Sequence, residues 1–203
     1  MKKIVSIILL ISILTSCSFI MRKVLLGIRK PKVENQKSLT KYLQKNQVDT
    51  INAYYLSDSL YLKLITEDTK YFSKYEVYNS KLEKIAPKDT LVNQCYGNIE
   101  LILKNIENTE LWKKDSTINN VCNIEKNYKA INGSLEKEKI FSGNDNYIVF
   151  YWAKFMGKYT KSILKIASEI QQQKKPNLKV ITINMDKNIE MSDSIKELEY
   201  NFN

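Results

Sequence analysis

The fold is decided by Tyr147-Ile-Val-Phe-Tyr-Trp-Ala-Lys-Phe-Met-Gly-Lys-Tyr159, an apolar and aromatic run that ends in a glycine. The nearly continuous apolar part predicts a strand over 147–153 that is buried on both faces of a sheet. Downstream apolar residues recur at helical spacing and predict a helix over 158–173: Ile163, Ile166, Ala167 and Ile170. A second apolar run predicts a strand over 178–185, so the three elements form a βαβ unit.

This stretch resembles the first buried strand and active-site turn of thioredoxin-fold proteins. In that family a Trp-Ala pair and an aromatic residue precede Cys-Gly-x-Cys at the start of a helix. Here Trp152 and Gly157 keep the pattern, whereas the two cysteine positions hold Met156 and Tyr159. The resemblance implies an α/β fold, a thioredoxin-like three-layer α/β sandwich with a central mixed sheet.

Apolar patterns in the upstream half predict further elements: a helix over 38–45 with Ser38 as N-cap, a strand over 51–56, a helix over 58–65, a hairpin of strands 71–79 and 82–86, and a helix over 98–107. A hairpin followed by a helix is what a thioredoxin fold needs after its βαβ unit. We therefore expect residues 33–203 to form one thioredoxin-like domain with its halves in permuted order, containing an irregular linker over 108–142. The alternative is a βαβ unit of another α/β sheet with an unrelated N-terminal extension.

The N-terminus has the layout of an export signal. A positive start is followed by an apolar run over 4–14, which is shorter than the roughly 20 residues needed to span a bilayer. Leu14-Thr-Ser-Cys17 resembles a bacterial lipobox, which implies a signal peptide over 1–16 and a lipid on Cys17. Residues 17–32 would then be the lipid anchor and tether of a protein in the cell envelope, facing the periplasm or the cell surface. The alternative is an uncleaved signal anchor.

The substituted turn cannot carry out thiol chemistry. Met156 is a thioether and Tyr159 is a phenol, so neither has the thiol that a mixed disulfide requires. The family's cis-proline also has no match, because Ser73-Lys74 stands where the hairpin begins. We expect a redox-inactive domain rather than an enzyme, and one that binds another envelope protein or peptide in a groove beside Met156 and Tyr159.

Two further cysteines, Cys95 and Cys122, leave an alternative open. In an oxidising compartment they favour one structural disulfide, which would close a loop of about 28 residues and add roughly 3 kcal/mol of stability. They could instead be the reactive pair of an envelope thiol-disulfide oxidoreductase, or two buried free thiols.

Charge and composition argue against other classes of protein. The formal net charge is +10, but the 32 basic residues are scattered among 22 acidic ones, so we expect no nucleic-acid partner. The chain has no histidine, the commonest zinc ligand and general base, so we expect neither a metal nor another cofactor. The basic residues near the N-terminus, such as Arg29 and Lys30, favour an anionic membrane surface.

Overall fold

The described residues form one mixed sheet with helices on both faces. The computed structural model describes residues 25–67, 75–87, 112–114, 128–132 and 145–198. The strands are β1 (Ala53–Leu56), β2 (Tyr75–Tyr78), β3 (Lys84–Pro87), β4 (Trp112–Lys114), β5 (Tyr128–Ala130), β6 (Asn146–Trp152) and β7 (Leu178–Asn184). The helices are α1 (Gln36–Lys45), α2 (Asp58–Glu67), α3 (Lys158–Gln173) and α4 (Asp193–Glu197), and a 3-10 turn (Lys154–Met156) joins β6 to α3.

The sheet has the strand order β4-β3-β2-β6-β7-β1-β5. Strands β6 and β7 are parallel and pair from Asn146 opposite Leu178 to Trp152 opposite Asn184, and β1 is parallel to β7 on its other side. The hairpin β2–β3 is antiparallel and lies against β6, while β4 and β5 are antiparallel additions at the two ends. The prediction of an α/β fold with a central mixed sheet is therefore confirmed.

Strand β6 lies at the middle of the sheet, which explains its nearly unbroken apolar sequence. Alternate side chains point to opposite faces, so Ile148 and Phe150 pack with Ile163 of α3, whereas Val149 packs in the cluster of the other face. Helices α1 and α3 cover the first face, and α2 and α4 contribute to the second. Both faces of the sheet are therefore covered.

Helix α1 starts two residues earlier than its sequence pattern predicts. Its N-cap is Asn35, whose side-chain oxygen accepts a hydrogen bond from the backbone N–H of Ser38 at 2.8 Å. The prediction that Ser38 caps this helix is wrong, because Ser38 already lies in its first turn. Its hydroxyl instead contacts Glu34 and Lys154.

The segment 108–142 is less irregular than its polar sequence predicts. It contributes β4 and β5, and β5 pairs with β1 from Ala130 opposite Tyr54 to Tyr128 opposite Leu56. Ladder hydrogen bonds use the backbone, so a three-residue edge strand needs no apolar alternation. The predicted helix over 98–107 lies outside the described residues, as does the first part of the predicted strand 71–79.

Candidate functional site

The four residues that resemble the thioredoxin motif lie at the end of β6, in the 3-10 turn and at the start of α3. Trp152 is fully buried, Met156 is half-buried against the apolar cluster of the α2 and α4 face, and Tyr159 is 37% exposed in the first turn of α3. Gly157 precedes α3 with φ +59°, a conformation that favours glycine. The structure thus brings Met156, Gly157 and Tyr159 together at the start of α3 and places Trp152 in the core.

A second segment of the chain crosses this turn. Residues 25–34, which we call the strap, run past the turn before α1 begins. The backbone N–H of Lys158 donates to the carbonyl of Leu26 at 2.9 Å, and the N–H of Arg29 donates to the carbonyl of Phe155 at 2.8 Å. The strap therefore binds the turn through main-chain hydrogen bonds on both sides of Gly157.

The crossing is tight because two glycines meet there. A Cβ atom placed on Gly157 would lie 2.3 Å from the carbonyl oxygen of Gly27, closer than real Cβ contacts. Gly27 also has a positive φ of +66°, and a Cβ placed on it would lie 3.8 Å from the Cα of Gly157. Position 157 therefore excludes every side chain while the strap is in place.

The other end of the strap binds the turn that follows β7. Glu34 forms a parallel bridge with Asn188, in which its N–H donates to Lys187 at 2.8 Å and its carbonyl accepts from Ile189 at 2.9 Å. The strap thus passes from the turn after β6 to the turn after β7. In open α/β sheets ligands bind outside the carboxyl ends of the strands, and here the chain itself occupies that position.

Three polar side chains hold the strap, α1 and the turn together. The Lys154 ammonium lies 2.6 Å from Oε2 of Glu34 and donates to the Ser38 hydroxyl at 2.7 Å. The same Glu34 oxygen accepts from Ser38 at 2.5 Å. A serine beside a lysine can be a nucleophile and its base, but here the ammonium is paired with a carboxylate and the hydroxyl hydrogen is directed to that carboxylate. The arrangement suits a structural clamp better than a catalytic pair.

The buried side chain of Asp186, which is 1% exposed, holds the turn after β6 in place. Its Oδ2 accepts from the backbone N–H of Lys154 at 2.7 Å and from the side-chain amide of Asn184 at 2.7 Å. Burial raises the pKa of Asp186 to about 6, against the opposing effect of these two hydrogen bonds, and the Glu34 charge adds to the rise while the Lys154 charge opposes it.

The Trp152 indole joins α1 to the sheet. It stacks on the Tyr42 ring with centroids 5.7 Å apart and an interplanar angle of 7°, and the Lys154 ammonium lies 5.7 Å from that ring's centroid. The Nε1 atom of Trp152 is buried and has no hydrogen-bond partner among the described residues. Trp152 therefore acts here as a packing group between α1 and the sheet.

The second polar cluster lies within the sheet's other face. Glu76 is 2% exposed; its Oε1 lies 3.0 Å from the Lys84 ammonium, and its Oε2 accepts from Tyr78 at 2.7 Å and Tyr151 at 2.8 Å. Burial is the main cause that raises the pKa of Tyr151 well above its ordinary value. Because the carboxylate has a cation and two hydroxyls as partners, the cluster is an internal cross-link of β2, β3 and β6.

Other predicted residues lie outside the described part of the chain. These are Cys17, Cys95, Cys122 and the Ser73-Lys74 pair, so lipidation, the disulfide and the comparison with the cis-proline position stay predictions. Among the described residues, no group of acidic, cysteine or histidine side chains could hold a metal ion. No described helix combines the length and the apolar character that crossing a membrane requires.

Sequence reasoning missed the strap and its clamp. The strap is held by backbone hydrogen bonds, which leave no side-chain periodicity, and Glu34 and Lys154 are far apart in the chain. The pair of glycines at positions 27 and 157 was the available signal. Comparison of the chain with protein-family models, with curated proteins and with solved structures finds no match.

Proposed function

We propose that this chain is a lipid-anchored protein of the cell envelope whose thioredoxin-like domain is redox-inactive and binds another envelope protein or peptide. The βαβ unit β6–α3–β7 supports the thioredoxin-like part of this proposal. The antiparallel hairpin β2–β3 lies beside β6 in the same sheet although it precedes β6 in the chain. This arrangement agrees with a thioredoxin-like domain in which the two halves are permuted.

The observation that best supports the absence of thiol-disulfide chemistry is the close crossing of the strap and the turn at Gly27 and Gly157. A thiol-disulfide enzyme needs a thiolate at the start of its helix and access for a second sulfur. Here Met156 and Tyr159 supply no thiol, and the strap lies on the turn through two backbone hydrogen bonds. Both requirements are missing at the same place.

The strap also indicates how a partner would meet this domain. The strap already pairs with the turn by main-chain hydrogen bonds, and main-chain pairing is a common mode of peptide recognition. A partner peptide at the groove beside Met156 and Tyr159 would have to replace the strap. A protein partner that leaves the strap in place would have to use other surfaces of the domain.

The fold and the missing chemistry are tested by restoring the cysteines. In the double variant Met156→Cys/Tyr159→Cys the two thiols are separated by two residues at the start of α3. We expect peptide mapping to find a disulfide between positions 156 and 159 after equilibration with a glutathione redox buffer. The control is Met156→Ser/Tyr159→Ser, which has similar side-chain sizes and no sulfur. Absence of the disulfide under oxidising conditions would contradict the thioredoxin-like geometry.

The alternative is an oxidoreductase that uses Cys95 and Cys122. An assay of insulin reduction by the wild-type protein distinguishes it from the redox-inactive domain proposed above. We expect no insulin reduction and no change on Cys95→Ser or Cys122→Ser. Insulin reduction that disappears in both serine variants would establish the alternative instead.

The anchor and the partner need separate tests in cells. Incorporation of radiolabelled palmitate should disappear in Cys17→Ala, and unchanged labelling would refute the anchor. Cross-linking in whole cells that carry a tagged form of this chain should recover one partner protein. In the reciprocal experiment, a tagged form of that partner should recover this chain. Failure to recover any protein would favour a purely structural lipoprotein.

A further inference from the structure

The strap and the start of α3 together present an exposed basic surface. Its cations come from two segments that meet at Gly157: Arg29, Lys30, Lys32, Lys158 and Lys161, all of which are exposed. Lys158 is bonded to Leu26, and Arg29 to Phe155, so the two segments are in direct contact. We call this set the basic face.

The two segments that form the basic face contribute no acidic side chain of their own. Residues 25–33 and 153–168 contain no Asp or Glu. The acidic residues next to these segments, Glu34 and Glu169, lie 2.6 Å from Lys154 and 3.7 Å from Lys165. Basic residues in the first turn of a helix are also opposed by the helix dipole, so local helix stability does not account for Lys158 and Lys161.

Two apolar side chains lie within the same surface. Leu25 is 55% exposed at the beginning of the strap, and Tyr159 is 37% exposed between the two helical lysines. Exposed aliphatic and aromatic groups among lysines are the composition of surfaces that lie at the boundary between lipid headgroups and acyl chains. The basic face thus combines charge with groups that can enter a bilayer interface.

The position of the anchor brings this face to a membrane. Cys17 precedes Leu25 by eight residues, which span at most roughly 29 Å when fully extended. A lipid on Cys17 would therefore keep the basic face within that distance of the bilayer, at a high effective concentration. We propose that the basic face docks on anionic phospholipid headgroups and fixes the orientation of the domain on the membrane. This proposal rests on the lipid anchor of the proposed function.

Docking would turn the carboxyl ends of β6 and β7 toward the bilayer. The closed turn would then face lipid, and a protein partner would approach the domain from the opposite side. Lys45 and Lys174 lie at that opposite side, because Ser168 donates to the carbonyl of Gln47 at 2.8 Å and joins the far ends of α1 and α3. Helix α3 separates Lys158 from Lys174 by roughly 24 Å, at 1.5 Å per residue.

The test is lysine acylation of the lipidated protein on vesicles. A water-soluble acylating reagent is applied to protein on phosphatidylcholine vesicles and on vesicles that also contain phosphatidylglycerol, and each lysine is quantified by peptide mass spectrometry. We expect Lys158 and Lys161 to react about tenfold more slowly on the anionic vesicles, with the difference lost at high salt. Lys45 and Lys174 should react equally on both. Equal rates for Lys158 and Lys161, or equal slowing of all four lysines, would overturn the proposal.

Charge reversal provides the matched comparison. In Lys158→Glu/Lys161→Glu, Lys32 serves as the reporter and should lose its protection on anionic vesicles. In Lys45→Glu/Lys174→Glu, which changes the net charge equally, Lys32 should keep it. Identical behaviour of the two variants would refute a localised face. Flotation with neutral vesicles tests the lipid anchor, and lysine protection on anionic vesicles tests the basic face. Failure to float with neutral vesicles would therefore count against the anchor alone.

Discussion

At the scale of single residues, Asp186 is a carboxyl group that the fold keeps at an energetic cost. It is buried and bonded to the backbone of Lys154, and burial raises its pKa to about 6. Since the folded state holds this proton more tightly than the unfolded chain, the folded state binds more protons between roughly pH 4 and pH 6. Its contribution to stability therefore falls as pH rises through that range.

Replacing Asp186 by Asn should remove this cost while keeping an oxygen acceptor for Lys154 and Asn184. We expect Asp186→Asn to be more stable than wild type by roughly 2 to 3 kcal/mol near pH 7, and about equally stable near pH 4. Urea unfolding across that range measures the difference. Asp193→Asn is the control of opposite sign, because a hydrogen bond from Lys196 lowers the pKa of Asp193. Parallel stability curves for wild type and Asp186→Asn would contradict the raised pKa.

Gly157 gives a second prediction at the residue scale. Gly157→Ala should release the strap, since the new methyl group would meet the Gly27 carbonyl at 2.3 Å and the backbone has a positive φ. Hydrogen exchange at the amides of Arg29 and Lys158 should accelerate at least about tenfold, the equivalent of roughly 1.4 kcal/mol. Gly27→Ala is the matched control, because its methyl group meets atoms no closer than 3.8 Å and only the φ cost remains. Equal acceleration in both variants would refute the steric account.

At the scale of elements, the clamp formed by Glu34, Ser38 and Lys154 decides whether the strap, α1 and the turn move together. The Lys154 side chain is 22% exposed and that of Glu34 is 13% exposed, so removing one partner leaves a largely desolvated charge. Removing one partner should therefore destabilise the native structure more than the same change in an ion pair in full contact with solvent.

A double-mutant cycle measures that coupling. We expect Lys154→Met to destabilise the protein by roughly 1 to 3 kcal/mol, and Glu34→Gln in the same chain to restore part of the loss. The control cycle uses the exposed pair of Lys165 and Glu169, for which we expect no measurable coupling. Additive effects of Lys154→Met and Glu34→Gln would show that the pair contributes no more than a surface contact.

The sequence predicted best those elements whose buried face produces a regular spacing of apolar residues along the chain. Helix 158–173 has the predicted bounds, and β6 and β7 lie within one residue of theirs, because each has an apolar pattern imposed by the core. Strand β5 was missed, since its pairing with β1 uses the backbone and only Tyr128 of its residues is buried. The strap was missed for the same reason: main-chain pairing carries no side-chain signature.

At the scale of the whole molecule, the two halves of the chain complete one sheet. The edges of the β6–β7 pair are covered by β2 and β1, which both come from the N-terminal half. A βαβ unit alone would expose both edges and one face of apolar side chains, including Val149 and Ile183. The N-terminal half is thus part of the fold rather than an appendage.

Fragment complementation tests this interdependence. We expect residues 141–203 alone to be unfolded by circular dichroism and amide NMR, and to fold when mixed with residues 25–140. The cut lies between β5 and β6 and divides no described strand or helix. Independent folding of residues 141–203 would show that the βαβ unit is self-sufficient and that the upstream half is a separate addition.

If the lipid proposed on Cys17 holds the chain in a bilayer, the strap lies between that anchor and the sheet. Tension between the bilayer and the domain would reach the bonds that Leu26 and Arg29 make beside Gly157 before it reached any strand of the sheet. Those two hydrogen bonds would break one at a time. Breaking them singly takes less force than shearing a sheet, in which many hydrogen bonds must break together. Pulling would first detach the strap as far as the clamp at Glu34 and so lengthen the tether. The central strands would still be paired at that stage. A domain tethered in this way could lift from the membrane without unfolding.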